Sequence, residues 1–66
     1  MKLRELRISQ GSTQDELSRL SGVSLKTITN MERGKHLPKL ETMLKITKAL
    51  SVGLADIDEF KQRIAA

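Results

Sequence analysis

Residues 13–34, TQDELSRLSGVSLKTITNMERG, decide the fold. The stretch holds two short helical patterns broken by a glycine, with a start signal before each and a stop signal behind the second. Thr13-Gln14-Asp15-Glu16 is a capping box, in which the Thr13 hydroxyl and the Glu16 carboxylate satisfy backbone amides at a helix start. Two acids there also favour the positive end of the helix dipole. Leu17 and Leu20 give this helix an apolar edge. Ser21-Gly22-Val23 then interrupts it, because Gly22 reaches the positive φ that a sharp turn between helices demands. Ser24 caps a further helix, predicted over Ser24 to Arg33 and stopped by Gly34. Within it Ile28 and Met31 fall on one face, while Leu25, Lys26, Thr29 and Asn30 lie largely on others. One face packs and another is left free.

Upstream, Met1 to Gln10 places Leu3 and Leu6 on one side with Arg7 beside them, a short amphipathic helix that Gly11 ends. Downstream, Lys35-His36-Leu37-Pro38 reads as a loop. Leu40, Met43, Leu44, Thr47 and Leu50 then mark another helix at helical spacing. A break at Ser51-Val52-Gly53 precedes a last amphipathic piece with Leu54, Ile57 and Phe60 inward, fraying from Lys61 to Ala66. No strand pattern, repeat or low-complexity segment is visible. The expected fold is all-α, a compact five-helix arrangement with residues 1–66 as one domain.

Composition narrows the function classes. A chain of 66 residues has room for one small core and no separate ligand-binding module, so no small-molecule ligand or cofactor is expected. Without cysteine there is no disulfide and no thiolate metal site, and a reducing cytoplasmic location is the simplest expectation. No apolar run approaches a membrane span, and Met-Lys-Leu-Arg-Glu does not start a signal peptide. An enzyme is not expected: there is one histidine, no glycine loop for phosphates and no triad. His36 has no second metal ligand near it and reads as a loop residue. Asp56, Asp58 and Glu59 lack a neighbouring nucleophile and read as a solvated, solubilising face.

The net charge of +4 and pI near 9.9 point to an anionic partner, and the distribution says more than the total. Arg19, Lys26, Arg33, Lys35, Lys39, Lys45 and Lys48 face only Glu32 and Glu41 across the middle of the chain. Two short helices joined by a glycine turn, the second carrying small polar and basic side chains, meet the physical specification of an element that reads duplex DNA. A major groove about 12 Å wide admits one such helix, and its first turns reach the base edges. Here those positions are Ser24, Leu25, Lys26, Thr27 and Asn30. Lys26 can donate to guanine O6 or N7, or serve as a phosphate contact or a solvated charge; Asn30 can bond adenine N6 and N7 together. Leu25 packs either on a thymine methyl or against the start of its own helix.

The segments LRELRIS, TQDELSRLSGVSLKTITNMERGK and PKLETMLKITKAL resemble the phage repressor and Cro-type family of helix-turn-helix regulators, over about Leu3 to Ile57. The ordered set Gln14, Leu17, Gly22, Val23, Ile28, Met31, Glu32 and Gly34 carries the likeness. The resemblance implies a lambda-repressor-like fold and a bacterial or phage regulator, with Gln14 against a phosphate and Leu25, Lys26 and Asn30 against bases. It puts Arg33 and Lys35 on the DNA backbone, and Thr13 and Lys39 complete the expected phosphate set. It also implies a structural ion pair between Arg7 and Glu32. Without the likeness Gln14 is an ordinary first-turn polar residue. Ser12, Lys39 and Thr47 depart from the pattern, where a buried aliphatic, a capping hydroxyl and an alanine are usual.

The expected function is sequence-specific double-stranded DNA binding, as a homodimeric repressor on a palindromic operator. Val52, Leu54, Ile57 and Phe60 are the expected dimer contact, with simple closure of the core as the other reading of Phe60. The alternative is an antitoxin-type protein-interaction module of the same fold. Single-stranded RNA fits poorly, since Phe60 is the only aromatic and stacking platforms need several.

Overall fold

Among the described residues, short helices alternate with turns. In the computed structural model, residues 1–35 and 38–65 are described, those of 62–65 as backbone alone. The helices are α1 (Leu3–Ser9), α2 (Gln14–Ser21), α3 (Leu25–Glu32), α4 (Leu40–Leu50) and α5 (Asp58–Ala65), with a single 3₁₀ turn at Leu54–Asp56. Every described element is helical or a turn. No helix among the described residues is long and apolar enough to cross a membrane. The loop reading of His36 and Leu37 lies outside the described residues, whereas α5 continues through Ala65 instead of ending near Lys61.

Each helix contributes its apolar stripe to one core. Leu3, Leu17, Val23, Ile28, Met31, Met43, Ile46, Leu50, Ile57 and Phe60 are buried together, with Leu6, Ala49, Val52 and Leu54 packed on the margin. Full burial of one such side chain is worth about 1.5–3 kcal/mol, so this set supplies the main driving force in a chain with no covalent cross-link. Two expectations fail at this level. Leu20 is 69% exposed, because α2 turns Leu17 inward and Leu20 to solvent. In α4 the inner row is Met43, Ile46, Thr47 and Leu50, with Leu40 and Leu44 about half exposed on the outside. The buried Thr47 hydroxyl is satisfied by the Leu44 carbonyl at 3.1 Å, inside its own helix.

The turn between α2 and α3 is held by side chains as well as by Gly22. Gly22 closes α2 in the left-handed conformation at φ 76°, its N–H on the Ser18 carbonyl. The Ser18 hydroxyl donates to the Val23 carbonyl at 2.7 Å. The Ser21 hydroxyl donates to the Leu17 carbonyl and accepts the Val23 N–H. Three polar groups of a tight turn are thereby paired, and the angle between the two helices is fixed where Val23 enters the core.

The acids near the end of the chain, with Asp56 and Asp58 exposed as the sequence suggested and Glu59 half-buried, also make structural bonds that the sequence did not suggest. The Asp56 carboxylate accepts the Gly53 N–H at 2.8 Å and closes the 3₁₀ turn. Asp58 accepts from the Met1 ammonium at 3.0 Å, its own N–H donates to the Met1 carbonyl, and Glu59 accepts the Leu3 N–H at 2.9 Å. These bonds join the first turn of α5 to the first turn of α1, which draws Ile57 and Phe60 under the core. The Met1 ammonium and Lys61 hold the Asp58 carboxyl below its ordinary pKa.

Candidate nucleic-acid interface

The two faces of α3 divide by burial. Ile28 and Met31 are inside, whereas Leu25 keeps 44% of its surface and Lys26 is exposed. Thr27, Thr29 and Asn30 are half-buried along the boundary. Ser24 is the N-cap: its hydroxyl accepts the Thr27 N–H at 3.2 Å and donates to the Thr27 hydroxyl at 2.8 Å. Of the positions expected to touch bases, Ser24 thus has its proton committed to the cap. Thr27 still has a hydroxyl proton to give, and Lys26 and Asn30 make no side-chain hydrogen bond among the described residues.

Behind α3 a network of buried hydrogen bonds ties three helices together. The Arg7 guanidinium donates Nε to Glu32 Oε2 at 2.7 Å and Nη2 to Glu32 Oε1 at 3.2 Å, a two-point pairing. Its remaining edge donates to the Ser12 carbonyl at 2.7 Å. With side-chain exposures of 10% for Arg7 and 4% for Glu32, both charges are out of water. Ser12 therefore takes part through its backbone, whatever its small side chain does to the local packing. Gln14, at the first position of α2, donates Nε2 to the same Glu32 Oε1 at 3.0 Å. The Thr29 hydroxyl stands 3.3 Å from Gln14 Oε1 and 3.0 Å from the Leu25 carbonyl. Gln14, expected against a phosphate, has one amide proton engaged inside the protein and one remaining.

The cap of α2 forms the adjoining edge. The Thr13 hydroxyl accepts the Glu16 N–H and the Glu16 carboxylate accepts the Thr13 N–H, each at 3.0 Å. The Thr13 backbone bond and then its side-chain bond hold the Glu16 carboxyl below its ordinary pKa. Between this edge and the first turn of α3 runs an open groove lined by Ile8, Ser12, Gln14 and Leu25, among others. Arg33 is the C-cap of α3 and Lys39 the N-cap of α4, and neither side chain nor that of Lys35 is buried. Among the described residues, no carboxylate lies within ion-pair distance of Lys26, Arg33, Lys35 or Lys39. Their charge is directed at solvent.

The expected dimer contact divides into two pairs. Ile57 and Phe60 are 0% exposed within one protomer, so they have no surface to offer a partner, and that part of the expectation is corrected. Val52 and Leu54 are half-buried and keep an outward edge. Sequence reasoning missed three contributors: Thr29, which joins the Gln14 network, and Ser18 and Ser21, which fix the turn. Hydroxyls at such positions look like ordinary surface residues until their acceptors are known.

Against known proteins, a family model described as helix-turn-helix matches residues 3–57. The chain is 38% identical over 56 residues to the uncharacterized HTH-type transcriptional regulator YgzD of Bacillus subtilis, covering 85% of each chain. It is 39% identical over 56 residues, again 85% of each chain, to an uncharacterized HTH-type transcriptional regulator of Methanocaldococcus jannaschii. To the cryptic phage CTXphi transcriptional repressor RstR of Vibrio cholerae it is 36% identical over 56 residues, spanning 85% of this chain and 50% of that one. No solved structure gives a significant match.

Proposed function

The chain belongs to the Cro and C1 type of the helix-turn-helix family of transcription regulators, which are DNA-binding proteins and not enzymes, and from that premise we propose that it is a cytoplasmic repressor that binds a palindromic operator as a homodimer. In this reading residues 1–66 act as one domain and α3 lies in the major groove. One observation carries it: α3 is held from behind by Ile28, Met31 and the Glu32 network while its first turns stay open to solvent. Lys26 and Asn30 are the leading base contacts, as donor to guanine and as two-point partner of adenine, with Ser24, Leu25 and Thr27 at their margin. Thr13, Gln14, Arg33, Lys35 and Lys39 contact the backbone and set the register. The dimer contact uses the outward edges of Val52 and Leu54. Repression comes to this chain from the name of its phage relative.

The test is selection of bound duplexes from random DNA by the purified protein. The expected product is an inverted repeat whose half-sites are about 10 base pairs apart, the spacing that sets two helices in successive major grooves. Recovery of a single unrepeated half-site would remove the homodimer. Failure to enrich any duplex, with one stoichiometric protein captured from extract instead, would favour a protein-interaction module of the antitoxin type.

A further inference from the structure

We propose that Thr29 is a positioning residue for the phosphate contact of Gln14, orienting its side-chain amide so that a donor, and not the carbonyl oxygen, is presented to the DNA backbone. The proposal rests on the duplex-binding reading above. It starts from the polarity of the amide, whose two ends differ only in what they can bond. Both Glu32 oxygens accept from the Arg7 guanidinium, and Oε1 also receives Gln14 at 3.0 Å, so the nitrogen of the amide must face it. The oxygen then faces α3, where the Thr29 hydroxyl at 3.3 Å is its donor. Held at one end by Glu32 and at the other by Thr29, the amide has one N–H left, and Gln14 lines the open groove.

The Thr29 proton has two acceptors, Gln14 Oε1 and the Leu25 carbonyl at 3.0 Å. Hydrogen bonds in a chain polarise one another. When a phosphate draws on the free N–H, negative charge builds on Gln14 Oε1, which becomes the better acceptor for Thr29. The Thr29–Gln14 bond is thus stronger in the complex than in the free protein, and that difference acts on affinity. Gln14 is uncharged, so its phosphate bond displaces no condensed counterion, unlike a contact made by Lys or Arg.

The experiment measures affinity for a duplex selected by the wild-type chain and for a scrambled duplex of equal length, across a salt series. Thr29→Val keeps the branched shape and removes the hydroxyl. It is expected to weaken binding about three- to tenfold per half-site on both duplexes, as for loss of one hydrogen bond. Base preference and the slope of affinity against salt stay unchanged. Thr29→Ser retains wild-type affinity. Combined with Gln14→Ala, Thr29→Val costs nothing further, a coupling that a merely structural threonine would not show. Thr29→Ala, a stronger helix former, repeats the measurement if the valine variant folds poorly. Wild-type affinity in Thr29→Val, an additive loss with Gln14→Ala, or altered base preference would overturn the proposal. Absence of duplex binding by the wild-type chain is seen before any variant is compared and removes the underlying reading instead.

Discussion

Glu32 receives more polar contacts than any other side chain described, two from Arg7 and one from Gln14. Its removal strands a guanidinium that is 10% exposed and keeps only the Ser12 carbonyl. Breaking a buried ion pair from one side costs about 3–5 kcal/mol, against total stabilities of about 5–15 kcal/mol for folded proteins and less for very small ones. Glu32→Ala is therefore expected to melt near or below ambient temperature by circular dichroism; a cooperative transition within a few degrees of wild type would show the pair to be dispensable. Ser51 gives the opposite case. It ends α4 in the left-handed conformation, at φ 57° and ψ 45°, although Gly53 stands two residues on. That conformation costs a residue with a Cβ about 1–2 kcal/mol, and glycine gives back part of the gain in chain entropy. Ser51→Gly should raise the melting temperature by several degrees, and no change or a fall would mean that the Ser51 side chain stabilises the turn. The packed-versus-open split of α3 is legible from the spacing of Ile28 and Met31. Thr29 is not legible, because its acceptor, Gln14, lies in another helix and is brought close only by the turn at Gly22.

At the level of elements, the start of α2 is the signal that sequence reading resolves best, since both halves of a capping box are written three residues apart and need no tertiary partner. It also has a pH signature. Hydrogen bonds from Thr13 hold the folded-state pKa of Glu16 below its ordinary value of 4.5. A carboxyl depressed on folding contributes stability that is fully present above the unfolded-state value and is lost as pH falls through the folded-state value. Melting temperature should therefore fall as pH is lowered from about 5 into the acid range, part of the fall belonging to this cap. Glu16→Gln, which removes the titrating carboxyl but still accepts the Thr13 N–H, should flatten that fall, and an identical pH profile in the variant would mean that Glu16 is not the group responsible. Apolar stripes are read less surely than caps. In α4 the set Leu40, Met43, Leu44, Thr47 and the set Met43, Ile46, Thr47, Leu50 both satisfy helical spacing. Only the placement of α2 and the 3₁₀ turn against α4 selects the second. Leu20 is misread for the same reason. The bonds of Asp58 and Glu59 are not legible because their partners, the Met1 ammonium and the Leu3 amide, sit at the other end of the chain.

For the whole molecule, a net charge of +4 on 66 residues is modest, and what matters for DNA is that Lys26, Arg33, Lys35 and Lys39 have no acid within ion-pair distance among the described residues. If Arg33, Lys35 and Lys39 meet phosphates in each protomer of a dimer, the affinity should fall with salt at a log–log slope of about −5, from roughly 0.9 per phosphate contact. Lys39→Ala should lessen that slope by about 2 per dimer, and an unchanged slope would take Lys39 off the backbone. Dimerisation is separable from folding by the same logic of exposure. The molecule measures 30 × 20 × 19 Å, so two protomers in contact are large enough to set equivalent helices one DNA turn, about 34 Å, apart. Val52 and Leu54 keep outward edges beside the buried Ile57 and Phe60, so a partner at the proposed contact would cover the 3₁₀ turn and leave the core beneath it untouched. Leu54→Asp should thus leave a folded monomer that binds a palindromic duplex far more weakly than wild type but a single half-site about equally. Phe60→Ala should unfold the chain instead, since emptying a fully buried aromatic site costs about 3–5 kcal/mol. Equal loss of folding in both variants, by circular dichroism and sedimentation, would mean that the 3₁₀ turn belongs to the core and that the partner surface lies elsewhere.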